Sequence, residues 1–581
     1  MKRFSLSIAR AASRRAFRQG RQAALEWLER KDCMSADAVL DWNAVALEAQ
    51  ANDHTPSIVA KADQGGPTKS ARALAIVHAA IYDAVNSIDQ SYTPYLVTKT
   101  FSKIASIDAA VAQAAHDALV ALYPSQKTMF DTALRESLAD IRNGVSETLG
   151  RSAGRFVARA ILAARQTDGS EITVDYTEGT APGEHRVDPL NTGQGYLTPG
   201  WGDVDGFAIQ STSEFLPPPP PELTSEEYAA AFQEVKDYGG DGVTTPTLRT
   251  AEQTEIGIFW GYDGRPELGA PPRLYNQIAR VIAIQEGNTE IENARMFALI
   301  NIAQADAGVV AWDAKYDHNF WRPVVAIREA DEGTGPSGLG DGNAATEGDP
   351  NWRPLGAPGS NGGVDFTPPF PGYISGHATF GAAVFETLAN FYGRDDISFS
   401  FTSDEFNGVT TDAQGNVRPV VTRTFDSFSE AAAENAQSRI YLGVHWSFDA
   451  TEGIRSGNAI ADYVFSNILQ PRTQPPGNGL DLEKIREVLS SVIRSDRTID
   501  AVIQALSRLE TVSARVERTL DRLENLAEDQ SSSHGREARQ IQRHINETVQ
   551  TLLRELGLSR RSGTSHEPQL SSRDEVFGCW A

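Results

Sequence analysis

The chain has 581 residues, 40% hydrophobic and 22% charged, which suits a globular protein with a sizeable core in one large domain or several smaller ones. A formal net charge of -24 excludes the basic footprint that nucleic acid requires, so an anionic ligand would need a local cationic pocket that defeats the global field. Cys33 and Cys579 stand near opposite ends and exclude a disulfide framework or a zinc cluster; they read as incidental thiols.

Residues 1–37 form a basic leader. Phe4 to Ala9 is too short and too serine-rich for a signal-peptide core, and Arg14-Arg15 is not followed by a good apolar segment. No apolar run approaches the roughly 18 residues of a membrane span. A soluble protein is expected, cytoplasmic or exported by a route without a clear signal peptide.

Apolar residues at helical spacing predict helices over 69–90, 107–124 and 128–166. Residues 170–225, rich in Gly, Pro and Thr and containing Pro217 to Pro221, read as a long ordered loop or cap. Helical pattern resumes over 223–237 and 250–261, then over 272–315 as two helices broken at Gly287-Asn288. Residues 331–370 are irregular, and a loop of that length in a compact domain is usually functional or disordered. Helices follow over 375–393 and 427–442, flanking a polar stretch, 396–425, with a short strand pair near 409–411 and 417–421.

From 479 the texture changes. Ile499, Val502, Leu506, Leu509, Val516, Leu520 and Leu523 follow a 3-4 spacing broken at Ser513, and a second amphipathic helix spans about 535–557. Residues 479–560 are therefore a helical extension, for self-association or for packing on the main body, and 561–581 a disordered polar tail. Strand signals are few, so the fold class is mainly α: helical bundles with long Gly/Pro-rich loops, the main domain covering 38–475.

Three segments carry chemistry: WDAKYDHNFWRP (312–323), FPGYISGHATF (370–380) and SRIYLGVHWSFD (438–449). Lys315 and Arg322 are seven residues apart and fall on nearly one face of a helix, which Pro323 should end at Arg322. Ser375 sits where an N-cap belongs, and Gly376 follows at a helix start whose free N–H groups suit an oxyanion. Arg439 and His445 are six residues apart and would diverge on an unbroken helix, but Gly443 lies between them and can break it. Asp449, four residues after His445, can hold the other imidazole nitrogen. Three permanent cations, a hydroxyl, helix-end amides and two histidines, His377 and His445, make the inventory for an oxyanion with an apical histidine. His78 and His318 read as structural.

The pattern K-x6-R-P, P-S-G-H and S-R-x5-H resembles the vanadium-dependent haloperoxidases, which share a helical fold and an anion site with type 2 phosphatidic acid phosphatases and bacterial acid phosphatases. It is matched by Lys315, Arg322 and Pro323, by Ser375, Gly376 and His377, and by Ser438, Arg439 and His445. Trp312, three residues before the lysine, and Phe370, five before the serine, resemble the fungal-type chloroperoxidase branch; algal bromoperoxidases carry His where Phe370 stands. The resemblance covers roughly 38–470 and not the heptad tail. Ile374 departs from the usual Pro before Ser375, and the 60-residue gap between His377 and Ser438 is a little long.

The resemblance implies a vanadate cofactor, with His445 ligating vanadium through a ring nitrogen. It implies that Lys315, Arg322 and Arg439 neutralise the oxygens while Ser375 and the Gly376 N–H hydrogen-bond them. His377 would be the acid/base on peroxide, Lys315 would also polarise bound peroxide, and Trp312 and Phe370 would wall the halide side, unless they are simply core aromatics. Asp263 is a looser candidate to pair with a site arginine. The implied reaction is oxidation of chloride or bromide by hydrogen peroxide to a hypohalous-acid equivalent, delivered to an organic halogen acceptor. The alternative is an acid phosphatase of the same superfamily with His445 as nucleophile.

Overall fold

A computed structural model of the chain describes residues 37–472, the stretches 482–493, 496–507 and 536–556, and a few positions between 516 and 527. These residues belong to two compact units, one within Met1–Pro471 and one within Arg472–Ala581. The basic leader before residue 37, Leu509 and Ser513 of the heptad seam, and the polar tail lie outside the described residues. No described helix is long and apolar enough to cross a membrane.

The first unit begins with α1 (Ala38–Asp53), whose start Asp37 caps by accepting from Val39 N at 2.9 Å and Leu40 N at 3.0 Å. Spacing does not announce this helix, because Asn43, Gln50 and Asp53 are buried along with its apolar residues and blur the stripe. α2 (Pro67–Asp89) and α3 (Ile107–Leu122) follow as expected. The single helix expected over 128–166 is two, α4 (Lys127–Ala139) and α5 (Val145–Ala164). The break falls at the polar Asp140–Gly144 stretch, where Asn-Gly favours a turn over helix.

Residues 165–225 are irregular apart from one short turn at Trp201–Asp203, and α6 (Glu226–Tyr238) and α7 (Ala251–Phe259) come next. α8 (Pro271–Glu286) stops at Gly287, and α9 (Glu290–His318) starts from a capping box made by Thr289 and Glu292. α9 is buried on nearly every side, because it packs on α2 in one bundle and also on α11 (Gly376–Tyr392) and α13 (Ser447–Asn467) in a second. Between them lie α10 (Pro323–Glu329) and α12 (Phe428–Tyr441). The first bundle also contains α3 and α5, the second α12.

The strand pair lies further out than spacing placed it. β1 (Phe399–Asn407) and β2 (Val420–Phe425) are antiparallel, and the expected pairing near 409–411 and 417–421 survives only as a Thr411–Val417 bridge in the turn. Alternate burial along β1, with Phe399, Phe401 and Ser403 inward, is the better strand signal.

α13 packs on α11 backbone to backbone. A Cβ added at Gly457 would stand 2.5 Å from Thr379 O, and one at Gly453 would stand 2.9 Å from Ala378 Cβ and 3.0 Å from Ser375 O. Any side chain there would push the two helices apart at the end where Ser375 caps α11.

In the second unit, α14 (Leu482–Val492), α15 (Asp496–Ser507) and α16 (Arg536–Glu555) bury Leu489, Val502, Leu506, Ile545, Val549 and Leu552 in their own apolar cluster. α15 carries the first part of the heptad seam.

Candidate active site

The C-terminal end of α9 delivers Trp312 and Lys315. The helix ends at His318, because Asn319 takes the left-handed conformation (φ 49°) and its N–H returns to Lys315 O at 2.9 Å. Arg322 therefore does not share a helix with Lys315, contrary to the spacing argument. It is the extended residue (ψ 154°) before Pro323, which occupies the first position of α10. The turn brings the cations together instead: Lys315 Nζ lies 5.1 Å and Arg322 Cζ 4.9 Å from the centre of the Phe370 ring.

Lys315 is fully buried. Its ammonium donates to the carbonyls of Pro371 and Gly372 at 2.9 Å each and of Ile374 at 2.5 Å. These three bonds use its three protons and fix the segment that leads into Ser375. Burial, then the nearby Arg322 charge, press its pKa well below the usual lysine range. Lys315, Arg322 and Ser375 stand just outside the residues that line the adjoining cavity.

Arg322 donates from Nε to Phe370 O and from Nη1 to Val444 O, both at 2.8 Å, and from Nη1 to His445 Nε2 at 2.9 Å. Burial lowers its pKa to about 9. Its Nη2 has no hydrogen-bond partner among the described residues.

Ser375 caps α11, its Oγ accepting from Ala378 N at 3.4 Å while its own N–H donates to Asp449 O at 3.0 Å. As an acceptor in the cap, the hydroxyl still has its proton to offer a ligand. Gly376, the first residue of the helix, lines the cavity with His377. His377 donates from Nε2 to Gly261 O at 2.8 Å, which leaves Nδ1 as the basic nitrogen of the neutral ring. Burial and then the Arg439 charge lower its pKa to about 4.

Gly443 breaks the third segment as expected. α12 ends at Tyr441, Gly443 takes φ +71°, and Val444 N returns to Arg439 O at 3.1 Å. α13 then starts at Ser447, so Arg439 and His445 approach one site from two different elements. Arg439 is held by Asp263, donating from Nη2 to Oδ1 at 2.8 Å and from Nη1 to Oδ2 at 3.2 Å. Its Nε is buried without a partner among the described residues.

His445 Nδ1 donates to Asp449 Oδ2 at 2.8 Å, which fixes the tautomer and leaves the Nε2 lone pair to accept from Arg322. Burial and then the charges of Arg322 and Lys315 hold its pKa well below the usual histidine range, so the ring is neutral. Burial raises Asp449 to about 7 against the pull of Lys315.

Trp312 and Phe370 stand together, ring centres 4.7 Å apart, and both line a cavity of about 610 Å³ that reaches Asp263, Gly376, His377, Arg439 and His445. That cavity also takes residues no motif marked. Residues 191–194 and Leu197 come from the long irregular segment, Arg265 from the loop after α7, and His54 from the end of α1. The Leu197 carbonyl accepts from Trp312 Nε1 at 3.2 Å and from the Tyr316 hydroxyl at 2.8 Å, so this loop is pinned to the face of α9. A backbone carbonyl has no sequence signature.

The arrangement has the chemistry to hold an anion. Arg322 Nη2 and Arg439 Nε are buried cationic donors left over after the protein's own bonds are counted, and a buried donor without a partner costs free energy. Beside them are a capping hydroxyl, a helix start and one neutral histidine whose Nε2 lone pair accepts from Arg322. A tetrahedral or five-coordinate oxyanion with one nitrogen ligand matches that donor set.

Comparison with known proteins agrees. A family model described as the vanadium chloroperoxidase N-terminal domain matches residues 28–172, and the corresponding second helical-bundle domain matches residues 295–473. The vanadium chloroperoxidase of Curvularia inaequalis is 33% identical over 497 residues, covering 71% of this chain and 79% of that protein. Among solved structures, a bacterial vanadium-dependent iodoperoxidase has the same fold, with a TM-score of 0.60 at 22% identity over 76% of this chain and 99% of its own. A bacterial vanadium-dependent chloroperoxidase gives 0.53 at 15% identity over 69% of this chain and 91% of its own. With both domain models matched and a relative aligned over most of its length, the chain belongs to the vanadium chloroperoxidase family of vanadium-dependent haloperoxidases.

Proposed function

We propose that this chain is a vanadate-dependent haloperoxidase that uses hydrogen peroxide to oxidise chloride or bromide to a hypohalous-acid equivalent. The reaction balances as X⁻ + H₂O₂ + H⁺ → HOX + H₂O. The observation that carries the reading is the neutral His445, its Nε2 accepting from Arg322 at 2.9 Å in a buried cluster where Arg322 Nη2 and Arg439 Nε are donors without partners among the described residues.

His445 Nε2 would ligate the metal, and Arg322, Arg439, the Ser375 hydroxyl and the Gly376 N–H would hold the oxygens. Vanadate supplies Lewis-acid activation of peroxide without changing its own redox state. Arg322 and Arg439 stabilise the extra negative charge from inside a low-dielectric pocket, where each is worth more than in water. Lys315 brings its ammonium to the same buried cluster and holds residues 371–374 in register. His377, neutral and basic at Nδ1, takes the proton from peroxide and later returns one to the leaving oxygen. Trp312 and Phe370 give the halide an apolar wall that keeps its hydration shell from competing.

The same cluster would hold phosphate, with His445 as nucleophile, but the matched family does not favour that reading. The test is bromination of a dione probe by protein loaded with vanadate and given peroxide with bromide, then chloride. Absence of halogenation together with hydrolysis of a phosphomonoester overturns the assignment. We also propose that the C-terminal helices support self-association, which light scattering of the full chain measures directly; a monomeric mass refutes it.

A further inference from the structure

Halide and peroxide together need the space of two or three water molecules, roughly 60–90 Å³. The cavity is about 610 Å³, inside the range of about 300–1,000 Å³ typical of sites for organic molecules. Beyond the anion cluster its lining is largely apolar, with Leu197, Trp312, Phe366, Pro369, Phe370 and Phe380 among its residues.

One cation on that lining stands outside the anion cluster. The Arg265 guanidinium lies 4.1 Å over the Phe366 ring and donates to Val364 O, while its Nε is buried without a partner among the described residues. Of the acidic groups near it, Asp263 is paired with Arg439 and Glu405 with Arg418, while Asp365 accepts from Gly359 N at 2.5 Å and acts on Arg265 only through its field. His54, also on the lining, has both ring nitrogens committed, Nδ1–H to Gln50 O at 2.8 Å and Nε2 to Gly66 N–H at 3.1 Å. The cavity that reaches the anion cluster thus also presents aromatic walls and one guanidinium with a buried donor unpartnered among the described residues.

We propose that the organic halogen acceptor is bound in this cavity during halogen transfer, and that it is a planar, electron-rich arene carrying a carboxylate. Its ring lies against Trp312 and Phe370 and its carboxylate on Arg265. The inference rests on the haloperoxidase reading. The net reaction is ArH + X⁻ + H₂O₂ + H⁺ → ArX + 2 H₂O: the aryl C–H bond is exchanged for C–X, the peroxide O–O bond is reduced, and the ring proton ends in water.

Two measurements test it. The first is calorimetric binding of 6-hydroxy-2-naphthoate and of 2-naphthol to the vanadate-free full-length protein. Arg265→Gln is expected to weaken the naphthoate about tenfold and 2-naphthol less than twofold, and Arg265→Lys to recover most of the difference. Gly193→Trp is expected to weaken both, because Gly193 lines the cavity and an added Cβ there meets nothing within 4 Å, so the substitution fills space without a clash. The second is the isomer ratio of brominated 6-hydroxy-2-naphthoate from the vanadate-loaded enzyme against that from reagent hypobromite. A ratio that differs from reagent, and moves toward it in Arg265→Gln, supports the proposal. No binding of either probe, or a ratio identical to reagent, overturns it. Failure of the wild-type enzyme to brominate even a dione, with naphthoate binding intact, overturns the haloperoxidase reading instead.

Discussion

His445 can serve as a ligand only while Nε2 keeps its lone pair, and the Asp449 carboxylate on Nδ1 secures that tautomer. Asp449→Ala is expected to weaken vanadate binding about 10- to 100-fold, read by titrating vanadate into the apo-protein. His377→Ala should separate differently: halogenation kcat falls by about 10²–10⁴ while vanadate affinity moves only a few-fold. Equal losses in both quantities would contradict the acid/base role. His78 makes a prediction of another kind. It is buried against Phe297, ring centres 5.2 Å apart, and accepts from Asn43 Nδ2 at 2.9 Å. Burial lowers its pKa from 6.5 to about 3. The unfolded chain therefore binds a proton that the fold refuses, so this contribution to stability is intact above pH 6.5 and is lost as pH falls toward 3. At pH 4.5 the loss is about 2.7 kcal/mol, two pH units at about 1.36 each. His78→Gln should flatten the pH dependence of unfolding free energy between 6.5 and 4.5 by about one proton. At this scale the contact of Asp449 with His445 was legible from its four-residue spacing, and that of Asp263 with Arg439 only loosely, from the resemblance. Arg265 and the Leu197 carbonyl were not, because a loop residue met only in three dimensions leaves no period.

Helix ends decide how the site is assembled. Seven-residue spacing suggested one helical face for Lys315 and Arg322, but Asn319 and Pro323 put a turn between them. The conclusion about convergence was right and its geometry wrong. Turn preference is a property of a short stretch, and Asn before Phe-Trp-Arg-Pro is a weaker signal than the charges around it. The break at Gly443 was legible because glycine is the residue that enters φ +71° without strain. Gly443→Ala is expected to cost more than the left-handed penalty of about 1–2 kcal/mol, because its Cβ would also stand 2.5 Å from Gly239 O and 3.0 Å from both Pro354 and Trp352. A lower Tm in calorimetry, with weaker vanadate binding through displaced Arg439 and His445, is the expected result. The strands were expected too close to their turn because polar residues around 408–416 drew attention from the alternation in β1. Its position matters to the site: Ser403 Oγ donates to Phe259 O at 2.7 Å and Asp404 N donates to the Tyr262 hydroxyl at 2.8 Å, bracing the segment that carries Gly261 and Asp263.

The molecule carries a net charge of -24 yet gathers Lys315, Arg322 and Arg439 in one buried cluster. Buried cations contribute little to the field at the surface and much to the field in the cavity. The two compact units have separate apolar cores. Removing residues 473–581 is therefore expected to leave dione halogenation within about twofold in kcat/KM; a loss of more than tenfold assigns the extension a part in catalysis. The helical class was legible from period alone. The joining of two bundles along α9 was not, since a helix buried all round has no stripe to read. The contact of α11 with α13 through Gly453 and Gly457 has a consequence for anyone who would change what the enzyme accepts. Ser375 and the start of α13 are registered through main chain, which no side-chain exchange can retune by degrees. Directed evolution should find that seam intolerant and the cavity-lining loop at 191–194 permissive, so libraries for new substrates belong in that loop.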